Sequence, residues 1–369
     1  MKKVLLAGVI LFLSIFQLVA GNGVYRLLIG TYTNTKISGE GIYSYEIDVE
    51  KGIFNQKQVA KELINPSFLA LSTDKKYVYA ISESGTASKA GAFAFDVESG
   101  SFSFLNSTLT EGKDPCYIAE TKNHVVTANY SGGNLSVFRR NTDGTLSDLI
   151  QLVQHTGNSM HPKRQTKPYA HQVVFTPDQK FLLSCNLGTD KVMVYKYDFN
   201  SDHQPLVLFD SVKVKAGSGP RHLTISQNGK YVYLIHEIDG TLSVMTLKKG
   251  RLNIIQETSV VVKPDVKSGA ADIHLSPDGK FLYASNRGTA NDITCFAIEK
   301  NGKLRFVQQI SSGGVGPRNF ALSPDGKYLF VGNQQTGNIV ILKRDLKTGK
   351  LTDTGKNFKI GAPVCLLFY

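Results

Sequence analysis

A histidine, a glutamate and two arginines stand at matched intervals in this chain. His171 and Arg221 are fifty residues apart, and so are Glu237 and Arg287. An imidazole or carboxylate can draw a proton from water, and fixed guanidinium groups can hold the negative charge that develops on a carbonyl oxygen. The set therefore suits attack on an anionic substrate that carries a carbonyl. Arg318 and Asn319 extend the cationic arc. Arg164 and Gln165 lie in the stretch HTGNSMHPKRQTKPYAH, which runs from His155 to His171. We expect His171, Arg221, Glu237 and Arg287 to be catalytic, with Arg318, Asn319, Arg164 and Gln165 binding substrate. The plainer alternative is structural, since a lone arginine is commonly a salt-bridge partner and Glu237 can simply pair with Arg287. His236 falls on the opposite side of its strand from Glu237 under two-residue alternation and reads as a packed histidine.

A phrase repeated about every fifty residues must position these groups. Its clearest copies are PSFLALSTDKKYVYAISES from Pro66, GPRHLTISQNGKYVYLIHE from Gly219, GAADIHLSPDGKFLYASNR from Gly269 and GPRNFALSPDGKYLFVGNQ from Gly316. The hydroxyl residue before each turn falls at Ser72, Thr121, Thr176, Ser226, Ser276 and Ser323, and the seventh anchor coincides with Tyr369 at the C-terminus. Within a unit, apolar runs rich in Val, Ile, Tyr and Phe are separated by Pro-Asp-Gly and Asn-Gly turns, with no helical period between them. Each unit is thus four short antiparallel strands. Seven such units make an all-β, seven-bladed propeller spanning 24–369 as one domain. GAPVCLLFY supplies only a first strand, and RLLIGTYTN matches a second. The last blade is therefore expected to be stitched from both ends of the chain, which hides the open sheet edges.

Adjacent strands of a blade run antiparallel, so the start of the first and the end of the second share one face of the ring. The first set is Ser67, Cys116, His171, Arg221, Ala271, Arg318 and Val364; the second is Tyr32, Glu83, Tyr130, Leu187, Glu237, Arg287 and Gln334. Scaffold residues should repeat with the blade, and these do not. The longest interval between anchors, from Thr121 to Thr176, contains the His155–His171 stretch on that same face, as a lid or wall. Gln172, His222, Asp272 and Asn319 sit one position deeper.

Hydrophobic residues make up 41% of the chain, enough for a packed inter-blade core, and the formal charge is +12. Lysines recur at the turns of most blades, so the charge reads as a solvated rim and no nucleic-acid partner is expected. Lys2 and Lys3, an apolar run from Val4 to Phe16 and Leu18-Val19-Ala20 have the form of a signal peptide over 1–20. Export, to the periplasm, is the expectation, with no stable membrane insertion after removal of that segment; without processing the protein would stay cytoplasmic. The four cysteines fall at unlike strand positions in four blades and read as buried thiols. His155, His161 and His171 match no standard ligand spacing, so neither metal nor cofactor is expected. No Gly-x-Ser-x-Gly elbow is present to support a covalent serine intermediate. The partner these residues imply is a small anionic molecule that carries a carbonyl.

The SPDGKYLY-type phrase, LLIGTYTN, HPKRQTKPYAH, GPRH and the terminal strand together resemble the seven-bladed propeller lactonases. That family includes the propeller-type 6-phosphogluconolactonases and is similar to the carboxy-muconate cyclases. The resemblance covers essentially the whole chain after the leader and implies lactone hydrolysis, with a small anionic lactone or sugar acid as the partner. Its proposed active His, Arg, Glu and second Arg fall on His171, Arg221, Glu237 and Arg287. Two departures stand near the mouth: Tyr169 where members often carry His, and Asn186 where they often carry Asp. Export also sits awkwardly with a cytoplasmic sugar phosphate as substrate. A cycloisomerase closing an unsaturated dicarboxylate, or a non-catalytic periplasmic binding propeller, are the rival functions on the same fold.

Overall fold

The computed structural model describes residues 23–369, and the leader inferred from sequence lies outside the described residues. Twenty-eight strands, numbered β1–β28 in chain order, form seven four-stranded antiparallel sheets. The inner strands are β4 (Leu69–Leu71), β8 (Pro115–Glu120), β12 (Ala170–Phe175), β16 (Pro220–Ile225), β20 (Ala270–Leu275), β24 (Pro317–Leu322) and β28 (Pro363–Phe368). They surround a central channel. The seventh blade is composite, as the sequence implied. Its inner strand β28 pairs with β1 (Val24–Thr31) in the register Leu28↔Leu367 and Gly30↔Cys365, and β2 (Ile42–Asp48) and β3 (Ile53–Ala60) complete it.

The hydroxyl anchor of the repeat has a specific task. Ser276 Oγ donates to Asp278 at 2.6 Å and accepts from the Phe281 amide at 3.0 Å, closing the hairpin from both sides. Ser323 with Asp325 and Thr176 with Asp178 do the same. Gly279 follows with a φ of 66°, the left-handed region that costs glycine little.

Apolar side chains pack between blades. Leu183 and Val194 of the third blade, for example, bury against Leu223, Val232 and Leu234 of the fourth. Amide side chains clasp the outer parts of the ring. Gln256 both donates to the Leu304 carbonyl and accepts from its amide, at 2.8 and 2.7 Å, and Gln308 treats Leu351 likewise at 3.0 and 2.7 Å. Each clasp leaves both amide groups satisfied in a partly buried junction.

In six of the seven inner strands the ladder carries one extra residue at the start. Opposite a single step of the second strand lie two steps of the first between Pro115/Tyr117, Ala170/Gln172, Pro220/His222, Pro317/Asn319 and, for β28, Pro363/Cys365, and in β20 three steps from Ala270 to Ile273 lie opposite two. These are β-bulges, which re-aim side chains. In five of the six strands the extra residue is one that the register had placed at the mouth: Cys116, His171, Arg221, Arg318 and Val364. In β20 it is Ala271 or Asp272. Arg221 and His222, consecutive in sequence, both line the channel, as do Arg318 and Asn319. Strict alternation would have turned one of each pair away.

Several histidines are structural and neutral. His236 is fully buried between Ser218 Oγ at 3.0 Å and Ser243 Oγ at 2.9 Å, the packed role its alternation implied. His155 is buried between the Asn186 amide and Tyr195 Oη, each at 2.8 Å. Burial pushes His155, His222 and His236 down to about 4. In the unfolded chain they protonate near about 6.5. The stability from holding them neutral is thus complete above that pH and is lost as pH falls through about 4, at roughly 3 kcal/mol apiece. Thermal melts between pH 8 and pH 4 should show Tm falling steadily below about pH 6.5. A flat profile down to pH 4 would contradict this assignment.

Candidate active site

The mouth is organised around one buried carboxylate. Glu237 follows β17 (Tyr231–His236), and its amide donates to the Gly219 carbonyl at 2.8 Å. Gly219 takes a φ of 72° and is held by Asp190, whose carboxylate accepts the amides of Gly217 and Gly219 at 2.7 and 2.8 Å. That turn delivers Arg221 into the channel. Arg221 Nε donates to Glu237 Oε2 at 2.9 Å and its Nη1 to the Ala271 carbonyl at 2.5 Å. Arg287 meets the same oxygen at 3.2 Å while its Nε donates to the Gly269 carbonyl at 2.9 Å. Arg164 reaches across from the His155–His171 loop to Glu237 Oε1 at 2.6 Å and to Tyr130 Oη at 3.2 Å.

Three guanidinium groups on one carboxylate decide its chemistry. Burial alone would raise the Glu237 carboxyl, yet Arg287, Arg221 and Arg164 hold it far below the usual carboxylate range. It therefore fixes cations, and a carboxylate held in this way is a weak base near neutral pH. His171 is 4% exposed, with Nε2 3.9 Å from Glu237 Oε2 and Nδ1 3.7 Å from Cys116 Sγ. Burial first, and the Arg221 cation second, keep it neutral.

Arg318 differs from the other three arginines. Among the described residues it makes no hydrogen bond and no ion pair, and its guanidinium carbon lies 5.4 Å from the centroid of the Tyr32 ring. Tyr32 Oη and Ser67 Oγ both donate to Glu83 Oε2, at 2.9 and 2.8 Å. Four arginines against Glu237 and Glu83 leave the mouth with an excess of two positive charges. An anionic substrate would find Arg318 unoccupied by the protein.

Under the mouth lies a polar layer from the next position of the inner strands. Asp272 accepts from His222 Nδ1 at 2.8 Å, His274 Nε2 at 2.9 Å and Asn319 Nδ2 at 2.5 Å. Gln172 clasps Leu223 through both its amide groups. His274 was missed in the sequence; its spacing of two from Asp272, which puts both on one side of a strand, was the available signal.

The structure thus gathers His171, Arg221, Glu237 and Arg287 as the register required, with Arg164 and Arg318 beside them. Asn319 lies in the floor, its amide spent on Asp272 and the Leu366 amide. Gln165 does not reach the mouth. It is fully buried, donating to the Leu187 carbonyl at 2.8 Å and accepting from the His161 amide at 3.0 Å, and so shapes the loop that carries Arg164. Asn186 also acts in the scaffold, accepting from the Tyr169 and Gly188 amides while donating to His155. The four cysteines are free and buried. A rim groove of about 570 Å³ lies near Arg139 and Asp202, which pair with each other away from this constellation.

Residues 26–368 match the family model described as Lactonase, 7-bladed beta-propeller. The chain belongs to that family. Among relatives of this propeller lactonase, the 6-phosphogluconolactonase of Bacillus subtilis (strain 168) is 33% identical over 354 residues, covering 92% of this chain and 97% of the relative. A solved structure of a candidate 6-phosphogluconolactonase from Bacteroides fragilis superposes with a TM-score of 0.90 at 39% identity, covering 95% of this chain and 99% of that one. The periplasmic gluconolactonase of Pseudomonas aeruginosa superposes at 0.87 with 33% identity, covering 94% and 99%.

Within the lactonase mouth, Arg164 is the cation whose loss the fold should absorb most readily, because its side chain is 41% exposed and Glu237 keeps two other partners. Arg164→Ala should lower kcat/KM toward an anionic lactone by about tenfold, a cost of about 1.4 kcal/mol, with Tm little changed. Steady-state kinetics beside a thermal melt would check both halves.

Proposed function

We propose that the protein hydrolyses a sugar lactone that bears negative charge, by direct attack of water on the ring carbonyl and without a metal or a covalent enzyme intermediate. The observation that carries this reading is the arginine cluster fixed on buried Glu237, with Arg318 left uncommitted beside it. Guanidinium groups held in place before the substrate arrives cost no reorganisation when the carbonyl oxygen becomes negative. The relatives named as 6-phosphogluconolactonase and as a periplasmic gluconolactonase support the same reaction class. Among the described residues no group of three His, Cys, Asp or Glu side chains is placed to hold a metal ion.

Of the two bases that the sequence offered, Glu237 is committed to cations, so the proton of the attacking water falls to a neutral imidazole. Arg221 and Arg287 face the oxyanion, and Arg318 an acidic substituent. Export over residues 1–20 belongs to the same reading, and the name of the Pseudomonas relative supports it. N-terminal sequencing of protein recovered from outside the cytoplasm should begin after the apolar run.

The test is turnover of phosphorylated and plain sugar lactones by the purified protein, followed as acid release at constant pH. An open-chain unsaturated dicarboxylate in the same assay separates hydrolysis from cyclisation. Hydrolysis of at least one anionic lactone at a kcat/KM within the ordinary enzymatic range, about 10⁴ M⁻¹s⁻¹ or more, is expected. Cyclisation alone, or inertness toward every lactone, would overturn the proposal.

A further inference from the structure

Below the guanidinium cluster the channel narrows to a cavity of about 10 Å³, where Ser67, Cys116, Arg221, His222, Arg318 and Asn319 meet the apolar side chains of Phe68 and Val364. That is room for one water, with polar groups on part of its wall to hold it. His222 is 3% exposed and Asp272 takes its Nδ1 at 2.8 Å. An ionised carboxylate only accepts, so Nδ1 carries the proton and Nε2 is left with a lone pair. Among the described residues, that fully buried Nε2 has no hydrogen-bond partner. His171 has Nδ1 against Cys116 Sγ, and its Nε2, 3.9 Å from Glu237 Oε2, is also without a hydrogen bond but belongs to the mouth above. It does not line the cavity.

We propose that His222, oriented by Asp272, holds the hydrolytic water in this cavity and is the base that takes its proton. This rests on the lactone-hydrolase reading above, and it moves the base from the mouth to the layer beneath. A carboxylate on one ring nitrogen and a free lone pair on the other is the arrangement that fixes the tautomer of a general base. As the water attacks, its O–H bond breaks and the proton passes to Nε2. Its oxygen bonds to the carbonyl carbon, and the carbonyl π pair moves onto the oxygen facing the arginines. On collapse the carbonyl re-forms, the ring C–O bond breaks with its electron pair on the ring oxygen, and that oxygen takes the proton back from Nε2. An open hydroxy acid results, and nothing beyond water is consumed.

The groups that face His222 come from every strand around it: Arg221 on its own strand, His171 on β12, Cys116 and Tyr117 on β8, Asp272 and His274 on β20, and Arg318 on β24. Burial, then Arg221, hold the imidazole neutral down to about 4, so it is available as a base throughout the neutral range.

His222→Asn keeps an N–H toward Asp272 and removes the lone pair. Its kcat/KM for a lactone that the wild type hydrolyses should fall about a hundredfold or more, the span general bases commonly supply. Wild-type kcat/KM should also decline as pH falls through about 4, read by pH-jump before unfolding intervenes, and H222N should lose that limb. His171→Asn should keep it, whatever its rate. Retention of the limb by H222N, or its loss from H171N, would overturn the proposal while leaving the function intact. A wild type inert toward every lactone would overturn both. Nitrogen NMR of the wild type tests the same point without any variant: the Nδ1–H tautomer at His222 supports the proposal, and the Nε2–H tautomer refutes it.

Discussion

Arg221→Ala is expected to lower kcat/KM for an anionic lactone by roughly a thousandfold, about 4 kcal/mol of transition-state stabilisation, and to leave a folded ring. The guanidinium is buried, anchored on Glu237 and the Ala271 carbonyl, and lines the cavity above His222. Its direction is therefore set before substrate arrives. Removal opens the driest part of the mouth to water, which weakens every remaining charge interaction there. Folding survives because Glu237 keeps Arg164 and Arg287. The signature is a collapse of kcat with a native circular dichroism spectrum. Full activity in the folded variant would remove Arg221 from the mechanism.

Glu237→Gln should be worse for stability, because the carboxylate is the hub and the arginines are its spokes. Taking the negative charge away leaves Arg164, Arg221 and Arg287 crowded together, two of them buried or nearly so, with the nearby carboxylates reduced to Asp272 in the layer beneath and Glu83 beyond Arg318. Removing one side of a buried ion pair commonly costs about 3–5 kcal/mol. For a domain of this size that corresponds to a Tm lower by roughly 4–7 °C. Activity should fall with it by about a thousandfold, since the cations lose the anchor that aims them. Added chloride or sulfate should restore part of the Tm by supplying an anion. A variant as stable as the wild type, and indifferent to salt, would show that Glu237 is not the hub.

The ring was legible in the chain because a period of about fifty residues survives any uncertainty about single strands. Composite closure followed from counting: GAPVCLLFY lacks a partner until RLLIGTYTN is placed beside it. The mouth was legible for a related reason. Once blades are superposed in sequence, His171, Arg221, Glu237 and Arg287 stand out as positions that refuse to repeat.

What stayed hidden depends on pairings between blades, which no single segment records. Arg164 was visible as a loop cation, but its reach to Glu237 spans seventy-three residues. Gln165, next to it, was expected at the substrate and instead ties the loop to Leu187. The unpaired state of Arg318 is a property of its neighbours. His222 and Asp272 were each noticed as deeper residues, yet the bond between them crosses from one blade to the next, as does that from Asn319 to Asp272. The bulges leave no mark in composition or alternation, because an extra residue exists only relative to the strand it faces.

Those bulges separate two kinds of selection. Further along an inner strand most apolar side chains fill the space between blades, so a change of chemistry there is also a change of volume. The inserted residue does not answer to that demand. Six such residues ring the entrance, and the same scaffold holds cysteine, histidine, arginine, alanine or aspartate, arginine and valine there with the ladder resuming unchanged after each. A propeller built in this way can trade one substrate for another at its entrance without renegotiating the core, and that freedom comes from a single surplus residue in each of six blades.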